Sequence, residues 1–289
     1  MRVRRGLVIA LLAVCTVLVS TFTASASPRH YERYVALGDS YTAGPLIPLQ
    51  RLDPLGCFRS TLNYPAQLAL RLHTRSYTDV SCSGADTTNM TGPQSVTLGV
   101  NPPQLDALRP STDLVTLGIG GNDYGVFGTL VGTCPGLRAS DPAGNPCQRH
   151  FTTDGVDVIE AQLTQTQANV TAVLAEIHER SPHAKVLAIG YPRIAPVSGT
   201  CPDVLPFADG DYAWLSSVEE ALNAAISGAA EKDGDTSYVD TFTPSLGHDA
   251  CAGRAAWING QYYQLTAAPY HPNLSGMTGL AKIVYAALY

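Results

Sequence analysis

A chain of 289 residues with 45% hydrophobic and only 15% charged side chains, 26 Gly and 20 Pro is long enough to bury a large core and is rich in loops. This composition excludes an acidic disordered chain, a coiled coil and a collagen-like repeat. Its 24 acidic residues outnumber 18 basic ones, and no cluster of Lys or Arg breaks the trend, which argues against nucleic acid and anionic lipid headgroups as partners.

The chain opens with Arg2, Arg4 and Arg5, an almost wholly apolar run over residues 6–22, and the triplet Ala24-Ser25-Ala26. That is the pattern of a signal peptide, residues 1–26, cleaved after Ala26. An uncleaved anchor is the competing reading, against which stands the immediate small-residue cleavage site. Cys15 reads as apolar filling, because a lipoprotein signal needs a small residue where Val14 stands. Cleavage leaves residues 27–289 with 15 basic and 24 acidic side chains, a net charge of −9, and with Cys57, Cys82, Cys134, Cys147, Cys201 and Cys251. An even number of cysteines in an exported chain reads as three disulfides of open pairing; a zinc site would want close CxxC or HxxxH pairs.

Residues 34–37 predict a strand that stops at Gly38-Asp39-Ser40, followed by a helix over 64–72. Residues 77–82 predict a second strand, ended by Ser83-Gly84. The continuous β-branched and Leu run at 113–119, ending at Gly120-Gly121, has the look of a strand buried on both faces. Residues 129–148 hold Gly, Pro and two Cys without periodicity and are predicted to form a loop. Apolar residues recur at helical spacing over 156–180 until Ser181-Pro182, which predicts a long helix. A strand at 185–190, a Pro-rich loop through Pro206, a helix at 212–231, a strand at 237–242 and a closing helix at 273–289 complete the chain. The alternation predicts a single three-layer α/β/α sandwich around a central parallel sheet, flavodoxin-like in type, with its ligand beyond the carboxyl ends of the strands.

Four segments at those strand ends carry chemistry. In Gly38-Asp39-Ser40 the glycine permits a sharp turn that delivers a nucleophile to the sheet edge; the bland alternative is a turn or cap serine. Asn122 in Gly120-Gly121-Asn122-Asp123 offers a side-chain amide to a developing oxyanion, and Gly84 offers a bare backbone N–H. Of the seven His, His271 differs because Pro272 starts the last helix and fixes the imidazole in the loop before it.

Taken in order, these segments resemble the blocks of the SGNH hydrolases, the GDSL esterase/lipase family: ALGDSYTAG over residues 36–44, Ser83-Gly84-Ala85, Gly120 to Asp123 in the GxND pattern, and His271-Pro272-Asn273. Within it the chain is most similar to the secreted bacterial lipases with three disulfides. The resemblance implies a carboxylic ester hydrolase in which Ser40 is the nucleophile and His271 its base. It implies an oxyanion hole of the Ser40 and Gly84 N–H groups with the Asn122 amide, and disulfides Cys57–Cys82, Cys134–Cys147 and Cys201–Cys251. No metal, nucleotide or redox cofactor is called for. The family's usual Asp three residues before the His is replaced by Ala268, so a main-chain carbonyl of Ala268 or Pro269 is expected to orient His271, with Asp249 the alternative. The expected substrate is a small-molecule or lipid ester, handled by a secreted monomer that inserts in no membrane once its signal is removed. Phospholipase A and carbohydrate deacetylase are the alternatives with the same apparatus, and a non-catalytic lipid- or cell-wall-binding module is the alternative from another class. Trp257, Tyr262, Tyr263 and Tyr270 are candidates to line an acyl groove or a sugar platform, or simply to pack.

Overall fold

The computed structural model describes residues 30–289; the predicted signal peptide and its cleavage site lie outside the described residues. Strands β1 (Arg33–Gly38), β2 (Ser76–Asp79), the hairpin β3 (Gln94–Val96) with β4 (Gly99–Asn101), β5 (Leu114–Gly118), the small hairpin β6 (Thr152–Thr153) with β7 (Val156–Asp157), β8 (Lys185–Ile189) and β9 (Thr236–Val239) occur along the chain. Between and after them lie helices α1 (Ser40–Ala43), α2 (Tyr64–Leu72), α3 (Val126–Leu137), α4 (Pro146–His150), α5 (Val158–Arg180), α6 (Asp211–Asp233) and α7 (Leu274–Ala286).

The main sheet has the order β2-β1-β5-β8-β9 with every pair parallel, as predicted from the alternation. Because side chains alternate across a strand, its two faces feed two cores. Val35, Leu37, Val115 and Leu117 join α5 and α6 on one side, while Tyr34, Ala36, Leu114 and Leu187 join α2 and α7 on the other. That double burial is why the strands read as unbroken apolar runs. Two polar groups inside it pair with each other, the Tyr34 and Thr116 hydroxyls at 2.7 Å.

Several predicted boundaries shift, each for a local reason. β2 ends at Asp79 rather than residue 82 because the buried Asp79 carboxylate gathers the Ser81 N–H and hydroxyl and the Asn63 amide, which turns the chain. α5 begins at Val158, since Asp157 caps it through the N–H groups of Ile159 and Glu160. β9 ends at Val239, where Asp240 accepts from Phe242 and Thr243 and bends the backbone.

One prediction fails outright: residues 129–148 are not a loop but carry most of α3 and the start of α4. Gly128, Gly132, Pro135 and Gly136 hide the helix from propensity, yet Val126, Leu130 and Cys134 lie four apart and are buried on one face. Tertiary contacts hold what propensity would not. The buried Asp211 carboxylate accepts the N–H groups of Cys147 and Gln148 at the start of α4, and the Cys134–Cys147 disulfide ties α4 to α3.

The other disulfides are Cys57–Cys82, beside the carboxyl end of β2, and Cys201–Cys251, which joins the long loops after β8 and β9. The latter closes a span of 50 residues, for which the chain-entropy model gives about 4 kcal/mol. Replacing Cys201 and Cys251 together by Ala is therefore expected to lower the thermal midpoint by on the order of 10 °C. Melting followed by circular dichroism checks this, and an unchanged midpoint would mean that the loop is held without the bond.

Candidate active site

β1 hands the chain directly to the site. Gly38 pairs with Gly118 of β5, and the Asp39 N–H continues the ladder to the Gly118 carbonyl at 2.9 Å. A side chain at Gly38 would meet that carbonyl at 2.6 Å, so glycine is required there by close approach. Asp39 then caps the four-residue α1 by accepting the Tyr41 N–H, which places Ser40 first in that helix, where the backbone N–H has no partner within the helix.

His271 approaches from the opposite end of the chain. Its loop is held by the Tyr41 hydroxyl, which donates to the Tyr270 carbonyl at 2.6 Å, and by the Ala268 N–H, which donates to the Pro45 carbonyl at 2.9 Å. Asn273 caps α7 immediately beyond, through the Gly276 N–H. The imidazole packs against the rings of Tyr41 and Phe127, at centroid distances of 5.1 and 5.3 Å. Its Nδ1 lies 2.6 Å from the Pro269 carbonyl oxygen and its Nε2 lies 2.8 Å from the Ser40 hydroxyl. A carbonyl only accepts, so the ring proton sits on Nδ1, and the lone pair of Nε2 faces the Ser40 hydroxyl.

Between the two main-chain candidates for orienting His271, the structure brings Pro269 to the ring. The Ala268 carbonyl instead accepts the His271 backbone N–H at 3.3 Å. Asp249 is buried elsewhere, with its carboxylate accepting the Cys251 N–H. Burial lowers the His271 pKa to about 4 against the ordinary 6.5, with the Pro269 carbonyl opposing part of that shift.

Ser40, Gly84, Asn122 and His271 line one open cleft of about 310 Å³. Gly84 has a φ of +78°, a conformation that favours glycine. Asn122 spends one amide proton on the Ala85 carbonyl at 2.9 Å, which fixes the amide plane and leaves its second proton available. Asp123 is an anchor, accepting the Thr87 N–H and hydroxyl and the Asn169 amide.

On the other side of Ser40 lies a second cavity, of about 80 Å³, walled by Leu130 and Val131 of α3, Leu163 of α5, and Phe207, Leu215 and Tyr270. Tyr263 lines the open cleft, Tyr262 is exposed, and Trp257 stacks on His248 away from the site. Among the described residues, no group of three His, Cys, Asp or Glu is arranged to hold a metal ion.

Sequence reasoning missed Tyr191. Its buried hydroxyl accepts the Gly121 N–H at 3.0 Å and donates to Asp39, linking the loop that carries Asn122 to the loop that carries Ser40. Burial raises the Asp39 pKa to about 7, and the Tyr191 hydroxyl and Tyr41 N–H hold it below where burial alone would put it. Only its position after a buried strand, at the same sheet edge as the other segments, could have marked Tyr191 in advance.

These features define a hydrolase built on a parallel sheet with a Ser and His paired at the strand ends, and residues 36–278 match the GDSL-like lipase/acylhydrolase family. The chain belongs to that family, and its activity is that of a carboxylic ester hydrolase. It is 41% identical over 254 residues to Lipase 2 of Streptomyces coelicolor, an alignment covering 86% of this chain and 83% of that one. Among solved structures it resembles phospholipase A1 from Streptomyces albidoflavus, with a TM-score of 0.68, 27% identity and coverage of 89% and 98%. It resembles equally the extracellular lipase from Streptomyces rimosus, with a TM-score of 0.68, 27% identity and coverage of 89% and 99%.

Two measurements follow. A base must be neutral to act, and a lowered pKa keeps His271 neutral at acidities where an ordinary imidazole is already charged. The acid limb of kcat/KM is therefore expected to fall as pH drops through about 4, and a limb at 6.5 would show the ring to be solvated. Tyr191→Phe leaves both the Gly121 N–H and an Asp39 oxygen unpaired. It is expected to lower kcat about tenfold with little change in KM, at a stability cost of about 2 kcal/mol. Wild-type kcat in that variant would make the hydroxyl a purely structural strut.

Proposed function

We propose that the chain is a secreted serine hydrolase of lipid acyl esters, acting through Ser40 and His271 as a dyad. The observation that carries the reading is the relay of two contacts, Ser40 hydroxyl to Nε2 at 2.8 Å and Nδ1 to the Pro269 carbonyl at 2.6 Å. In this reading Ser40 Oγ bonds to the ester carbonyl carbon while its proton passes to Nε2. The oxyanion is held by the N–H groups of Ser40 and Gly84 and by the free amide proton of Asn122. Collapse breaks the bond to the leaving alcohol, which takes the proton from Nε2, and water then repeats the sequence on the acyl-enzyme.

The apolar cavity under α3 is suited to the acyl chain and the open cleft to the alcohol. Support for secretion comes from the pattern over residues 1–26, from three disulfides, which persist in oxidising compartments, and from the relative named as an extracellular lipase. Residues 27–289 are then the mature hydrolase. A phospholipase A activity is the second reading, favoured by the likeness to the Streptomyces albidoflavus phospholipase A1. The cavity's mostly apolar lining speaks against a glycan ester, and retention of nucleophile, base and oxyanion donors together speaks against a non-catalytic module.

Initial rates across p-nitrophenyl esters from acetate to palmitate, with phosphatidylcholine and an acetylated glycan in parallel, test the reading. Wild type is expected to prefer fatty acyl esters, and Ser40→Ala to lose at least about 10⁴ in kcat while remaining folded. A folded Ser40→Ala protein with near wild-type turnover would end it.

A further inference from the structure

Two loop segments wall the Ser40 cleft, and a hairpin packs against one of them. The loop of residues 44–58 contributes Leu46 and Phe58 to the cleft wall, and the segment of residues 261–268 contributes Tyr263. The Ala268 N–H to Pro45 carbonyl bond joins these two. The β3–β4 hairpin sits against the first of them: a side chain at Gly56 would strike the Thr97 backbone at 2.4 Å, and one at Gly99 would strike Pro54 at 2.9 Å.

These segments carry large apolar side chains that nothing in the fold covers. Leu265 is 95% exposed, Tyr263 81%, Leu98 80% and Leu52 79%, and Leu49 and Tyr262 are each 66% exposed. Scattered single leucines on a surface mean little, but these fall on two loop segments that wall one cleft and on the hairpin packed against the first of them. Their surroundings are also almost free of charge. Residues 94–105 and 255–270 contain no Asp, Glu, Lys or Arg, and in residues 44–58 the two charges, Arg51 and Asp53, are paired with each other. In a chain whose net charge is −6, such a rim has nothing to offer an ionic partner. Leucines flanked by tyrosines match instead the boundary of a lipid layer, where aliphatic side chains leave water and tyrosine keeps its hydroxyl among headgroups.

We propose that this rim is a docking surface for an uncharged or zwitterionic lipid interface, on which the protein sits with the cleft facing the lipid. Leu265 and Leu98 are its apolar anchors. The inference rests on the Ser40 cleft being the ester site, and it adds that the substrate is met as an aggregate rather than as a dissolved molecule.

The test uses the full chain with vesicles of non-hydrolysable diether phosphatidylcholine, measuring the bound fraction by co-sedimentation, and p-nitrophenyl acetate as a soluble substrate. Leu265→Glu and Leu98→Glu are each expected to weaken vesicle binding about tenfold or more. Both should leave the rate on the soluble ester and the thermal midpoint unchanged. Leu70→Glu, at an exposed leucine of α2, should bind as wild type does. Undiminished vesicle binding by both rim variants would overturn the proposal, as would an equal loss with Leu70→Glu. Binding that requires anionic phosphatidylglycerol would overturn it in favour of charge. A concentration-dependent dimer of the wild type, dissolved by Leu265→Glu, would overturn it in favour of a second copy of the chain. Absence of soluble ester hydrolysis with vesicle binding intact would count against the proposed catalytic reading and not against the docking surface.

Discussion

Gly38 and Gly118 face each other across two neighbouring parallel strands, and their close approach sets the position of what surrounds the cleft. Neither has a side chain of its own, the Thr42 hydroxyl fills the space a Cβ on either would take, and the Asp39 N–H reaches the Gly118 carbonyl, so the strand ladder runs one residue past the strand. Ser40 is thereby fixed by the sheet rather than by a loop. Asn122 follows β5 by only a few residues and inherits the same registration. A larger residue at position 38 would strike the Thr42 side chain and the Gly118 carbonyl, so the effect would be felt at Ser40 and Asn122 together.

The second constraint is electrostatic. With Ala268 three residues before His271, this chain presents the ring with a neutral carbonyl, that of Pro269. A carbonyl selects the tautomer as well as a carboxylate does, but it stabilises the imidazolium less. The site supplies little else for that cation, since aromatic rings pack against it and burial depresses its pKa. A carboxylate does lie nearby, in Asp39, but it is turned toward Tyr191 and Tyr41. Its service is to hold two loops in register.

How much of this was legible in the sequence depends on what each feature rests on. The parallel sheet was readable because strands buried on both faces must be apolar throughout; Ser40, Gly84, Asn122 and His271 each had a bland local reading as turn or cap residues, and what marked them was the resemblance of the four segments, taken in order, to one family, after which the fold brings them to one cleft. Strand ends were misplaced wherever a side chain bent the backbone, as Asp79 and Asp240 do. Helix α3 was lost because three glycines and a proline outvoted the spacing of Val126, Leu130 and Cys134, and that spacing matters only once the opposite wall exists. Tyr191 was invisible for a similar reason: its partners are 70 and 152 residues away in sequence, and nothing local marks its hydroxyl. The choice of Pro269 over Ala268 depends on a turn that sequence does not specify.

The make-up of α3 bears on what the cavity beneath it can accommodate. Its glycines at 128, 132 and 136 look onto open space, and together with Pro135 they forfeit about 6 kcal/mol of helix propensity relative to alanine. The helix persists through its buried face and the bond to α4, which leaves the middle of the wall among the least costly parts of the fold to deform. The floor of the cavity, by contrast, is made by long helices and sheet-edge residues that are expensive to move. The cavity is thus bounded by one wall that is cheap to deform and one that is costly, and the sheet that holds Ser40 in place lies on the costly side.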